Sequence, residues 1–270
     1  MSPLAVNQIT IRLNALFNSI PESGPYLNSL LHVNADNLSF EDQPDGSKKL
    51  VFDVLAVVLG DNGSVIDQIN KIYSVTIKKE AFDNFVKEGF VYNFIFPMKK
   101  PGVYQLRVAL RDQRSQKVGS ANQFVEIPDL KKDPLVISGI MLENKPLADA
   151  KHPGNGPAVG QISDPLTDTS LRQFKRGTVL NYEFSIFRAK ATTGNLKTQI
   201  RLFKDGKLAY SGQPQVIPAQ SAGRSTPLAG SLVLGDEMAP GDYVLQLNAV
   251  DDAGGKNANA TQYIEFEIVE

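Results

Sequence analysis

Apolar and polar positions alternate with period two along most of this chain, the spacing that gathers one set of side chains on one face of a β-strand. Ile9, Ile11, Leu13, Ala15 and Phe17 alternate with Thr10, Arg12, Asn14 and Leu16, and a turn over Pro21–Pro25 closes this opening strand. Leu27, Leu31, Val33 and Ala35 continue on one face, which turns His32 outward with Asn28 and Asn34. From Leu50 to Leu59 the chain is apolar at both parities, predicting a central strand covered on both sides. Gly60-Asp61-Asn62-Gly63 predicts a tight turn into Val65, Ile69, Tyr73, Val75 and Ile77, and so a long hairpin. One short helix is predicted over Lys79–Lys87, with Phe82, Phe85 and Val86 on one face and Gly89 ending it. Phe90, Tyr92, Phe94 and Phe96 then form an aromatic strand.

The second half opens with a strand over Leu135–Leu142. Glu143–Gly177 differs: Pro146, Pro153, Gly154, Gly156, Pro157, Gly160 and Pro165 interrupt it and no apolar period is sustained. That predicts a long loop, either a binding loop or an unstructured connector. Patterning resumes with Leu180, Tyr182, Phe184 and Ile186, followed by a hairpin over Ile200–Tyr210 with Asp205-Gly206 at its tip. Gln213–Leu228 is a second Pro/Gly/Ser-rich connection, and Leu232–Leu234 leads into the last segment.

That last segment repeats an earlier one. Residues 101–127 align with 240–266 without a gap, and 9 of these 27 positions are identical: Pro101/Pro240, Gly102/Gly241, Tyr104/Tyr243, Leu106/Leu245, Asp112/Asp251, Lys117/Lys256, Ala121/Ala260, Gln123/Gln262 and Glu126/Glu265. Each copy reads as a Pro-Gly turn, a strand, a polar turn and a returning strand. Tyr104 and Tyr243, at the start of the penultimate strand, are placed as the tyrosine corners of immunoglobulin-like sandwiches, where the phenol hydroxyl bonds back to the main chain.

The expected fold is therefore all-β: two tandem immunoglobulin-like or fibronectin-like β-sandwiches, with one short helix in the first. The boundaries read as a module over 1–128, a charged linker over 129–134, and a module over 135–270 carrying the long Pro/Gly-rich loop at 143–177. A length of 270 residues gives the same count of two domains. At 42% hydrophobic, 21% charged and net charge −1, the composition is that of an ordinary globular protein. Basic residues cluster no further than pairs such as Lys99-Lys100 and Lys131-Lys132, which argues against a nucleic-acid partner. There is no cysteine for disulfides or thiolate metal sites, and no run reaches the ~20 apolar residues of a membrane-spanning helix. Met1-Ser2-Pro3-Leu4 lacks the basic and apolar regions of a signal peptide; for an exported protein, the signal would lie upstream and this chain would be a fragment.

Candidate chemistry is sparse. The two histidines are His32 on an outward strand face and His152 in the long loop, and no Gly-x-Ser-x-Gly elbow exists, so no catalytic residue is assigned. Asp61-Asn62-Gly63 and Asp251-Asp252 read as hairpin turns and lack the spaced oxygen ligands of an EF-hand, so neither a metal nor a cofactor is expected. Asn37-Leu38-Ser39, Asn62-Gly63-Ser64 and Asn259-Ala260-Thr261 match a glycosylation acceptor, a pattern that arises by chance and marks surface loops. Most Tyr and Phe residues fall on the apolar side of alternating strands. Phe124 and Tyr263, at aligned places in the repeat, fall on the opposite parity and are the candidate binding residues, together with His152.

Lys49–Val57, Lys100–Asp112, Gly119–Lys132, Leu202–Lys207 and Pro240–Gln246 together resemble the region that follows the von Willebrand factor A-type domain in the acidobacterial VWFA-related proteins. The resemblance spans most of both modules. It implies an exported, extracytoplasmic multidomain protein with this piece at its carboxyl end, a family without an assigned activity, and no catalytic residues to carry over. The factor A domain and its Asp-x-Ser-x-Ser metal signature are absent from this chain. The expected role is non-enzymatic: spacer and interaction modules that recognise a protein partner or an upstream domain of the same polypeptide. The alternative is a ligand- or carbohydrate-binding module, with a hydrolase last.

Overall fold

The computed structural model describes residues 7–147, 165–190, 194–218, 224–253 and 258–270. The chain is all-β and forms two compact units, Met1–Phe17 with Pro25–Ile127 and Asn18–Gly24 with Pro128–Glu270. Each is an immunoglobulin-like sandwich of two sheets.

In the first unit β1 (Ile11–Ile20), β2 (Gly24–Val33) and β6 (Phe90–Pro97) make a three-stranded sheet in the order β1-β2-β6. The second sheet runs β5 (Val65–Ile77), β4 (Lys48–Leu59), β7 (Gly102–Asp112), β8 (Val118–Ile127), with the two-residue β3 (Glu41–Asp42) beside the start of β4. Leu27, Leu31 and Phe96 from one sheet and Phe52, Val54, Leu106 and Leu110 from the other are all buried. Helix α1 (Lys79–Glu88) ends at Gly89, whose φ of 71° and N–H bond to Phe85 O (2.9 Å) make it a C-cap that a side chain would strain. The helix's ring face sits against Phe40, 5.0 Å from Phe82 and 6.2 Å from Phe85.

In the second unit β9 (Leu135–Ile137) and β10 (Met141–Pro146) both pair with β12 (Thr178–Arg188), which pairs in turn with β16 (Ser225–Leu234). The facing sheet runs β11 (Gln173–Lys175), β18 (Asn259–Val269), β17 (Gly241–Asp251), β13 (Leu196–Lys204), β14 (Lys207–Ser211), with β15 (Gln215–Ile217) also on β13. Strands β11 and β18 pair in parallel.

Part of the long loop expected at 143–177 is regular. Its first residues complete β10, and its last ones form a second helix, α2 (Pro165–Leu171), and then β11. Residues 148–164, including His152, lie outside the described residues. Helix α2 escaped the periodicity because polar side chains dock it. Thr169 Oγ1 accepts from Leu142 N (2.8 Å) and donates to Leu142 O (3.1 Å), and Asp168 Oδ2 accepts from Asn144 N (2.7 Å). These bonds satisfy the outer edge of β10.

The run at Leu50–Leu59 is buried on one face only. Phe52, Val54, Ala56 and Val58 point into the core, while Val51, Leu55, Val57 and Leu59 are half-exposed on the other face. Double burial belongs to sheets with helices on both faces, and among the described residues no helix lies over the outer face of β4. His32 is likewise corrected from outward to buried. The main chain at the end of α1 covers it, and its ring Nε2–H donates to Glu88 O at 2.9 Å. A methyl group at Gly89 would lie 2.3 Å from Val33 O and 3.1 Å from the His32 ring, so glycine is what admits this contact.

The repeat builds the same strand in both units and pins it at both ends. At the start, Gly102 and Gly241 hold φ of 145° and 126°, and the Tyr104 and Tyr243 hydroxyls each donate to the carbonyl four residues back, Lys100 O and Ala239 O, at 2.8 Å. Lys204 Nζ reinforces the second corner by bonding Ala239 O and Pro240 O. At the other end stand the buried Asp112 and Asp251. Asp112 accepts main-chain N–H bonds from Ser39 (2.6 Å), Arg114 (2.8 Å) and Ser115 (3.2 Å); Asp251 accepts from Ala253 N and pairs with the buried Arg188 at 3.2 Å. Burial pushes the Asp112 pKa up, but the N–H bonds from Arg114, Ser115 and Ser39 outweigh it and hold the carboxyl below the usual range.

Removing one corner hydroxyl costs about 1 kcal/mol net. Tyr104→Phe and Tyr243→Phe are each expected to lower the unfolding free energy of their own unit by about that amount in urea titrations. Unchanged midpoints in both would remove the corners from the account. The Asp112 contribution is full above the unfolded carboxylate pKa near 4 and is lost as pH falls through the lower folded value. Asp112→Asn should therefore flatten the acid limb of the stability curve.

Candidate functional site

The outward residues of β4 form the middle of an uncovered sheet face in the first unit. Cross-strand pairing sets its rows: Ile72, Asp53 and Arg111 side by side; then Asn70, Leu55, Ala109 and Ser120; then Gln68, Val57, Arg107 and Asn122; then Leu59, Gln105 and Phe124. Phe124 is 68% exposed and Ile72 67%, with Val103 diagonal to Phe124 and also exposed. Phe124 and Val103 thus stand together at the β8 corner of the face and Ile72 at the β5 corner, with the half-exposed Leu55, Val57 and Leu59 between them.

The polar residues of this face are held in place by one another. Arg111 forks onto Asp53 through both Nε (2.8 Å) and Nη2, and Gln113 Nε2 donates to the other oxygen of Asp53 at 2.6 Å. Arg107 Nε donates to Gln105 Oε1 at 2.9 Å, and Gln105 Nε2 reaches Asn122 Oδ1 at 3.3 Å. The result is a mixed polar and apolar surface with two bonded guanidinium groups and a protruding ring, and arginine and aromatic residues are enriched at protein contact sites. An apolar run at both parities, in a chain with too few helices to cover a second sheet face, is the signal that could have located this site from sequence.

Phe124 and Tyr263 (64% exposed) both point outward, but they are not structural equivalents. Phe124 lies opposite Gln105, whereas Tyr263 lies opposite Gln246, which the repeat aligns with Arg107. The cause is the second hairpin turn: Asp112 N bonds Lys117 O, while Asp251 N bonds Ala258 O, a connection two residues longer. A shift of two keeps the face but moves the ring by one step along the strand. Tyr263 also has different surroundings, an amide row in which Thr261 donates to Asn248 and Asn248 to Gln246. His152, the third candidate, lies outside the described residues.

The second unit offers a cleft of about 320 Å³ on its open flank, between the β12-β16 and β13-β14 edges. Tyr182, Tyr210, Gln199, Gln213 and Gln215 line it. Gly230 makes room for the ring of Tyr182, since a methyl group there would lie 2.2 Å from the hydroxyl. Burial, and secondarily Tyr210, pushes the Tyr182 pKa up, so the phenol stays protonated. Such a lining is uncharged, with amide and phenol groups beside rings. Among the described residues no group of three or more His, Cys, Asp or Glu side chains converges as a metal would require, and no helix is long and apolar enough to cross a membrane.

No protein-family model and no curated protein matches the chain. Among solved structures, a β-glucuronidase from Parabacteroides merdae is similar over 90% of this chain and 28% of that one, at 9% identity and a TM-score of 0.32. The chain thus spans little more than a quarter of that enzyme's length. A likeness at that level carries no argument about the sites described above.

His32 supplies a pH test. Burial, opposed by the Glu88 bond and reinforced by Arg12, lowers its pKa below the usual histidine value. The neutral ring's contribution is full above the unfolded pKa near 6.5 and is lost as pH falls from there through the lower folded value. Chemical unfolding at pH 8 and pH 5 should show this loss in the wild-type chain and a smaller one in His32→Gln. Identical pH dependence in both would contradict the burial reading.

Proposed function

We propose that the chain is a non-catalytic pair of recognition modules, and that the outer face of the β5-β4-β7-β8 sheet receives a protein partner. The observation carrying this reading is the exposed Phe124 and Val103 at one corner of the face and Ile72 at the opposite corner, with the bonded guanidinium groups of Arg107 and Arg111 between them. A flat, rigid, partly apolar surface suits a protein, because the polar groups are already oriented and little side-chain entropy remains to be lost. The resemblance to the carboxyl-terminal region of VWFA-related proteins supports placing the modules outside the cytoplasm, within a larger exported protein, where they space and present other domains. On that reading the partner is either a separate envelope protein or an upstream domain of the same polypeptide.

A second reading rests on the cleft of the second unit, whose neutral amide and phenol lining suits an uncharged polyhydroxylated ligand such as a carbohydrate. Saturable glycan binding lost in Tyr210→Ala, with folding intact, would establish it.

The test of the first reading is capture from an envelope extract of the source organism by immobilised wild-type chain and by Phe124→Glu. An exposed substitution of this kind should leave stability within about 0.5 kcal/mol. Loss of the protruding aromatic anchor should weaken retention of the captured partner by about tenfold or more. Equal retention by both chains would contradict the assignment of the face.

A further inference from the structure

Strand β5, 13 residues long, pairs with β4 on one side and, among the described residues, with no strand on the other. The direction of its main-chain groups follows from β4. Gln113 N bonds Val51 O on the β7 side, so Val51, Asp53, Leu55 and Val57 serve β7 while Phe52, Val54, Ala56 and Val58 serve β5. Their partners Tyr73, Lys71, Ile69 and Asp67 are thereby satisfied. The N–H and C=O groups of Gln68, Asn70 and Ile72 face the open side, where Gln68 N turns back to Asp67 Oδ1 at 2.8 Å.

Three other edges carry bonds: Gln8 and Ile9 bond Val118 O at the start of β8, Gln123 bonds both main-chain groups of Ala15 on β1, and α2 covers β10, whereas β6 and β16, like β5, each pair on one side only. A lysine on an edge strand commonly guards against pairing. Here Lys71 stands four residues after Asp67, and neither takes part in an ion pair within the described residues.

We infer that β5 pairs antiparallel with β5 of a second copy of this chain, with Ile69 on the two-fold axis. In that register Asp67 lies opposite the second copy's Lys71 on both sides of the axis, and Gln68 opposite Asn70. Over this regular stretch each charge meets its opposite, each amide an amide, and Ile69 its own copy. Moving the axis to Gln68 sets Asp67 against Ile69, and moving it to Asn70 sets Asp67 against Tyr73, so neighbouring registers lose the match. The hydrogen-bond phase agrees, because Gln68 and Asn70 are the residues whose main chain faces outward. When Gln68 N turns to the second copy's Asn70 O, the Asp67 carboxylate is released to meet Lys71. The register irregularity between Val58 and Leu59 skips Ile66, so the regular edge starts at Asp67. The site is the strand edge and does not rest on the sheet-face reading.

The test is sedimentation equilibrium of the full chain over a concentration series, comparing wild type, Asp67→Lys, Lys71→Glu and a 1:1 mixture of the two variants. Wild type should dimerise. Each variant alone sets like charges across the axis and should weaken self-association by about tenfold or more. The mixture should restore dimers. In a mixed dimer the lysine introduced in one chain meets the glutamate introduced in the other, and the unchanged Asp67 and Lys71 meet on the far side of the axis. Asn70→Pro, which removes an outward N–H, should abolish the dimer. A wild-type chain that stays monomeric at the highest concentration overturns the inference. So does a dimer unaffected by both charge variants, a mixture that fails to recover, or a dimer lost in Phe124→Glu.

Discussion

Each unit depends on one central strand fixed at both ends. In β7 and β17 a phenol hydroxyl closes the Pro-Gly turn at the start, and a buried carboxylate gathers main-chain donors or Arg188 at the finish. Between these ends Leu106, Val108 and Leu110, and their counterparts Leu245, Leu247 and Ala249, are almost wholly buried. A strand held this way fixes the register of its neighbours, because a slip of one residue would turn the whole apolar set toward water. The two buried aspartates use different partners. Asp112 gathers main-chain N–H donors, whereas Asp251 answers a buried guanidinium, an arrangement in which losing either partner would strand a charge.

The outer strands then determine what each unit can meet. In the first unit, polar side chains and the segment before β1 close one flank, and rings close the other from within: Tyr73 to Tyr92 at 4.7 Å, Phe52 to Tyr73 at 5.5 Å, Phe85 to Phe90 at 5.3 Å. The Tyr73 and Tyr92 hydroxyls also bond each other across this flank. With the interior thus sealed, the face of β4 and the edge of β5 are left to solvent. Both belong to regular strands and neither needs to move to bind, which lowers the entropy lost on association.

Much of this was legible in the sequence, for local reasons. Period-two patterning, the Asp-Gly and Asn-Gly turns and the Pro-Gly-x-Tyr repeat act over a few residues, and they led to strands, hairpins and an all-β sandwich architecture. What escaped depends on contacts distant in the chain. Helix α2 is docked by Thr169 and Asp168 on β10, which no helical period announces. His32 is buried by the end of a helix 56 residues later. Phe124 and Tyr263 align in sequence yet sit one step apart, because a turn two residues longer shifts the returning strand. The outward apolar residues of β4 looked like core, since a run of ten residues cannot reveal what covers its second face.

The most direct test of this division between pinned core and presented surface is amide hydrogen exchange at low and high protein concentration. The account predicts the slowest exchange in 105–111 and 244–250 at every concentration. It predicts rapid exchange at Gln68, Asn70 and Ile72 in dilute protein, slowing as concentration rises. Exchange at those three amides that is independent of concentration, or as slow in dilute protein as in β7, would contradict it.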